Sequence, residues 1–383
     1  MCFGVHIAAF IICLQIIKEG YVYMNKIGCF LLMAALLTTP VLAEETELPA
    51  EAEEKTPEAF VGEDGTVTGD LFSVRVPEEI LEICDLEVRE DSISFYEKIS
   101  HEAFGGHTGT ICLYDKVEDY TMLPSFDPVG ELHLEDGTLL HVIAMYPTDV
   151  QFDVESEEST DNYRAISEAF RTQIIDSIEA VEGSYIPQAE VDTTSIYNGI
   201  LDQLTAEISE RKTQEELTED GFCYLFAYLY GEEDDDPLAS VGYAFTDLDH
   251  DGYQELLVGS MEDPMIYEMY AQLDGEVKQV FCSGERDRWY LTGKDEMVYA
   301  LRNEASGGAM YSVTGFYNLV SGDDLYLSTR YVYDSEKDAE HPFYIGYFDD
   351  DDSLESVSEE EWNDRMGNYG ETMAPAYQPL SGR

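Results

Sequence analysis

Apolar and polar residues alternate along much of this chain, and the changes of period divide it into two stretches. In the first, Leu71–Val76, Ser92–Tyr96 and Thr110–Tyr114 show the period of two that turns one face of a strand toward a core. Glu131–His133 and Leu139–Met145 flank Glu135-Asp136-Gly137, whose Asp-Gly step predicts a hairpin turn. The period then lengthens. Tyr163, Ile166, Phe170, Ile174, Ile178 and Val181 recur at three and four, the signature of one amphipathic helix. Strands closed by a helix predict an α+β layer over residues 68–182. Gly183, Pro187 and small polar residues predict a linker over 183–195.

The second stretch, 196–383, opens with a helical face of Ile196, Ile200, Leu201, Leu204 and Ile208. Phe222–Tyr230 continues apolar as a further helix and stops at Gly231. From Ser240 onward strands are expected at Val241–Thr246, Glu255–Gly259, Tyr267–Leu273, Val277–Cys282, Met297–Leu301, Tyr311–Leu319, Leu325–Tyr333 and Phe343–Phe348. Ser358 and Glu361 form a capping-box pattern for a last short helix. The fold class expected is α+β: an N-terminal α+β domain, then a mainly antiparallel β domain entered through N-terminal helices. The order of elements in the first domain is loosely similar to PsbP-like domains, a likeness of order that carries no function with it.

Upstream of both domains the chain changes character. From Met24 it reads as a signal peptide over 24–43: Lys26, an apolar stretch from Ile27 to Leu37, the helix breakers Thr38-Thr39-Pro40, and Val41-Leu42-Ala43 as a cleavage pattern. Residues 1–23 carry a second apolar run, Val5–Ile17, of 13 residues, too short to span a bilayer comfortably. They read as translated upstream DNA, since Lys18-Glu19-Gly20 can be encoded by a purine-rich ribosome-binding sequence; a genuine anchor is the alternative. Residues 44–67, rich in Glu and Pro, read as a disordered acidic spacer. The expectation is a secreted protein, extracellular or of the cell envelope, with no membrane span after processing.

Charge sharpens this picture. The chain has 81 acidic and 20 basic residues, and without residues 1–43 (Lys18, Glu19, Lys26) the balance is 80 to 18, a net of −62. Nucleic acid and anionic lipid, which are bound through Lys and Arg, are excluded as partners; cations are attracted. Of seven cysteines, Cys84, Cys112, Cys223 and Cys282 remain after Ala43. An exported chain permits Cys84–Cys112 and Cys223–Cys282 pairs that respect the domain boundary, or buried free thiols.

One segment carries chemistry. Phe245–Gly259 reads F-T-D-L-D-H-D-G-Y-Q-E-L-L-V-G, with Asp247, Asp249, Asp251 and Glu255 at loop positions 1, 3, 5 and 9 and Gly252 at position 6. Calcium takes six to eight hard oxygens, and alternate acids in a tight turn aim several carboxylates inward; the Tyr253 carbonyl offers another oxygen. Position 12 is Val258, where an EF-hand needs a bidentate acid. The spacing resembles instead the calcium loops of FG-GAP/VCBS-type β repeats, roughly D-x-[DN]-x-D-G-x-x-[DE]-L, and Leu256-Leu257-Val258-Gly259 continues that pattern. The likeness covers about fifteen residues and occurs once, so it implies a single-loop calcium-binding β domain and not a propeller. The whole arrangement looks like secreted proteins of Gram-positive gut bacteria. Between Thr213 and Val277 stand 18 acidic residues and no Lys or Arg. Two carboxylates about 5 Å apart repel by roughly 3 kcal/mol at an effective dielectric of 20, so an empty loop of four would be costly. A second acidic run, Asp349–Asp352, lacks the glycine and reads as a solvated loop.

No catalytic motif stands out. His101 and His107 lie six residues apart, against the four that place two histidines on one helix face, and no nucleophile elbow, phosphate loop or dinucleotide fingerprint occurs. Two readings follow: a non-enzymatic, calcium-stabilised protein that contacts a cell-surface, glycan or protein ligand, or a hydrolase whose β domain is an accessory module. A deep cleft with two convergent carboxylates or a shielded histidine pair would favour the second, and a flat β surface with exposed aromatics the first.

Overall fold

The computed structural model describes residues 61–383, except 234, 295–296, 306–309, 323 and 349–350. The expected upstream extension, the signal peptide, residues 44–60 of the spacer and the start of the Asp349–Asp352 run lie outside the described residues.

Ordered structure begins inside the stretch expected to be spacer. Val61 bridges Val67, and Val67 is fully buried because Thr66–Thr68 (β1) pairs with Phe72–Arg75 (β2). Glu179–Ala180 (β8) completes this small sheet. The six-stranded sheet beside it comprises Cys84–Val88 (β3), Ser92–Glu97 (β4), His107–Tyr114 (β5), Phe126–His133 (β6), Leu139–Met145 (β7) and Ser184–Pro187 (β9). Its order is β3-β4-β5-β7-β6-β9, with every neighbouring pair antiparallel. The Asp-Gly hairpin between β6 and β7 closes as expected: Asp136 Oδ1 accepts from Thr138 N at 2.9 Å, and Gly137 takes φ 89°.

One face of this sheet packs Ile93, Phe95, Ile111, Leu132 and Val142 against Ile166, Ala169, Phe170 and Ile174. The helix that supplies them is not one regular rod. Ser156 caps Glu157–Ala169, and the chain then widens into a π turn at Phe170–Ile174 and tightens at Ile175–Ser177. Phe170 at the change of pitch fills the space above Gly109, where a Cβ would lie 2.6 Å from its ring. The expected linker is likewise partly structural. Ser184–Pro187 is an edge strand on β6, held by Tyr185, whose hydroxyl donates to the Val129 carbonyl at 2.7 Å while its ring crosses Gly130.

The helix Asn198–Ser209 buries Leu201, Leu204 and Ile208 as the spacing predicts. Phe222–Tyr230 is not an α-helix but a 3-10 turn, Tyr224–Leu229; the α-helix lies before it at Gln214–Glu219, started by a Thr213–Glu216 capping box. A large antiparallel sheet follows. Its strands are Val241–Thr246 (β10), Glu255–Ser260 (β11), Ile266–Leu273 (β12), Glu276–Cys282 (β13), Asp287–Lys294 (β14), Met297–Glu304 (β15), Tyr311–Ser321 (β16), Asp324–Asp334 (β17) and Phe343–Tyr347 (β18). Short strands at Glu355–Ser356, Glu371–Met373 and Gln378–Pro379 complete the twelve. Ser358 caps the helix Glu359–Met366 through Glu361 N at 3.2 Å. The result is an α+β fold dominated by antiparallel strands, and the described residues all fall in one compact unit.

All four described cysteines are free thiols. Cys84 and Cys112 cannot pair: Cys84 faces Glu97 and Cys112 faces Ser92 across β4, and the two belong to cores on opposite faces of the sheet. Cys223 and Cys282 are neighbours, with both thiols directed at the Ser283 carbonyl at 3.2 and 3.5 Å.

Candidate metal centre

The acidic loop is the connection between β10 and β11, whose register runs from Val241–Ser260 to Thr246–Glu255. Two residues turn it through left-handed backbone, His250 at φ 62° and Gly252 at φ 93°. Glycine is required at position 252 for a second reason: a Cβ would lie 2.8 Å from Pro128 of β6. The loop therefore rests on the six-stranded sheet.

Inside the turn, carboxylates cap the backbone. Asp247 Oδ2 accepts from Gly252 N and Asp249 Oδ1 from Asp251 N, each at 3.2 Å. Asp251 Oδ1 accepts from Tyr253 N and Glu255 Oε2 from Leu248 N, each at 2.7 Å. These bonds use one oxygen of each acid and fix the others. Asp247, Asp249 and Glu255 bring ligand atoms within 4.8 Å of one another, the only such group among the described residues. Asp247 Oδ1 and Asp249 Oδ2 are buried and meet no hydrogen-bond donor. The carboxylate of Asp251 stands outside the group.

The electrostatics follow from this geometry. Burial and then the charge of Asp247 push Asp249 up to about 6. Burial and the Asp249 charge push Asp251 up to about 9. Glu255, 2% exposed, is raised well above the ordinary range by burial and by Asp249 and Asp251; Asp247 is raised chiefly by burial. A set of acids that resists ionisation at this density is one that a bound cation would relieve.

Sequence reasoning missed the residues that hold the loop from outside. Tyr120 donates its hydroxyl to the Asp251 carbonyl at 2.8 Å, and Gln188 donates its amide to the Gly252 carbonyl. Tyr253 donates to Glu131 Oε1 at 2.5 Å and lies 3.0 Å from His141 Nδ1. Their partners stand 64 to 131 residues away in the chain, so no local pattern marks them. His101 and His107 take no part: they bond Asp85 at 3.0 Å and Thr110 at 2.8 Å. Comparison of the chain with family models, with curated proteins and with solved structures finds no match.

Proposed function

We propose that this chain is an exported, non-enzymatic binding protein whose β10–β11 loop holds one calcium ion. The carboxylates of Asp247, Asp249 and Glu255 are the core ligands, and Asp251 and the Tyr253 carbonyl add oxygens when the loop closes on the ion. The observation that carries this reading is the pair of buried, donorless oxygens, Asp247 Oδ1 and Asp249 Oδ2, within a three-carboxylate group. A buried acceptor left without a partner costs about 1–3 kcal/mol, more when charged, and a cation is the partner that satisfies several at once. All the donors are hard oxygens, which suit calcium over thiophilic metals. The spacing that resembles FG-GAP/VCBS loops supports the same choice.

The ion's role is mechanical. Tyr120, Glu131 and Gln188 grip the loop from the six-stranded sheet and its flank, so quieting the repulsion within the loop secures the joint between the two sheets. The ligand contacted outside is a cell-surface, glycan or protein partner, in keeping with the export expected from residues 24–43 and the strongly acidic composition. The hydrolase reading draws on a cleft beside the loop that contains His141 and Glu131. Calorimetric titration of the purified chain with calcium tests the proposal: one ion per chain is expected for wild type and none for Asp249→Asn. Absence of binding heat in wild type would refute it.

A further inference from the structure

The side chain of Tyr253 leaves the loop and enters a cleft of about 430 Å³ between the two sheets. Glu131, His141 and Gln272, each at most 7% exposed, form its floor with Tyr253; Asp115, Lys116 and Asp274 stand at its rim. The hydrogen bonds on the floor fix which atoms remain available. The Tyr253 hydroxyl has one hydrogen and gives it to Glu131 Oε1, whose other oxygen is 2.8 Å from His133 Nε2. The Tyr253 oxygen must then accept from His141, so Nδ1 carries the hydrogen and Nε2 carries a lone pair. No hydrogen bond to Nε2 occurs among the described residues, and His141, 5% exposed, lines the cleft, so this nitrogen is open to the cleft. An imidazole lined up by a tyrosine and a glutamate thus offers its acceptor nitrogen to the cleft.

The charges around it say which donor. Burial lowers His141, the charges of Glu131, Asp274 and Asp115 oppose that, and Lys116 is the one lysine or arginine among the described residues of the lining. Among the described residues these acids form no group of three with ligand atoms within 4.8 Å of one another, as the loop carboxylates do. Spread acceptors with a net negative charge suit a cation larger than a metal, with several N–H donors and a short apolar body to lie along Val117 and Leu139.

We infer that this cleft binds a small organic cation with N–H donors, a primary ammonium or a guanidinium, with His141 Nε2 accepting from it and Asp115 and Asp274 pairing its charge. The site goes beyond the calcium reading and does not require it. The same chemistry comes from a free diamine or from a basic side chain of a peptide, and the test separates the two. Purified chain, once with calcium and once with chelator, is titrated with 1,4-diaminobutane, with an N-acetylated lysine amide, and with 1,4-butanediol as the neutral analogue. One or both of the amines should bind at one site and the diol should not; whichever amine binds more tightly identifies the source. Asp115→Asn and Asp274→Asn, both at the exposed rim, should each weaken binding by about tenfold, the loss of one charge-assisted bond. Glu232→Gln, at an exposed acid that does not line the cleft, should leave it unchanged. Equal affinity for diol and diamine, or equal weakening by Glu232→Gln and Asp274→Asn, would overturn the assignment. Because both calcium conditions are measured, a loop that takes no metal leaves this test intact.

Discussion

Glu97 and Glu268 are both fully enclosed carboxylates, yet their surroundings drive them in opposite directions. Burial alone would push Glu97 up, but Ile99 N and Ser100 N, the Ser159 hydroxyl and the Asn162 amide all donate to it and hold it below the usual range. It ties β4 to the helix Glu157–Ala169. Glu97→Ala strands four donors, so a loss of about 3 kcal/mol in denaturant unfolding is expected; a loss under about 1 kcal/mol would show that water replaces the carboxylate. Among the described residues Glu268 has only Cys223 N and the Tyr270 hydroxyl, and burial pushes it up to about 7. A raised acid binds its proton more tightly folded than unfolded. Its stabilising contribution is therefore complete below about 4.5 and lost as pH rises through 7. Relative to Glu268→Gln, wild type should lose roughly 3 kcal/mol across that window. A pH-independent difference between the two would contradict the assignment. At this scale the loop acids were legible, because alternate aspartates around a glycine are a local pattern. Tyr120, Glu131, His141 and Gln188 were not, because their roles arise only when distant strands meet.

Strands were legible where both faces of a pleat are plainly marked. Leu139–Met145 and Val241–Thr246 fall where the alternation predicts them. β14 escaped because Asp287, Arg288 and Lys294 mask a short apolar centre of Trp289 and Leu291. The expected linker became β9 because an edge strand needs pairing on one side only, and Tyr185 with Gly130 supplies a contact invisible to a local reading. The Thr213–Glu216 capping box was readable in principle, but the apolar run after it drew the helix too late. Cysteine chemistry belongs to this scale as well, since strand register decides it. Peptide mapping after treatment with a disulfide oxidant should link Cys223 to Cys282 and never Cys84 to Cys112. Recovery of the Cys84–Cys112 bridge would mean that β3 and β5 do not flank β4.

Across the whole molecule, one acidic turn sits where two sheets meet, in a chain carrying 61 more acidic than basic residues. The coarse α+β class followed from period and order; the seating of the loop on the other sheet did not, since sequence periodicity speaks of faces and not of which faces touch. If export is right, the secreted form should begin at Glu44 on N-terminal sequencing, and retention of residues before Ile27 would sink that reading. The central claim is that the loop's buried acids destabilise the protein until calcium arrives. Thermal unfolding of wild type and Asp249→Asn, each with chelator and with millimolar calcium, tests it most directly. With chelator the variant should melt higher than wild type, since one of the mutually repelling charges is gone. With calcium at ten times its dissociation constant wild type should gain about 1.4 kcal/mol and the variant nothing. A wild type that melts alike in calcium and chelator, or a variant that is less stable without metal, would contradict the account.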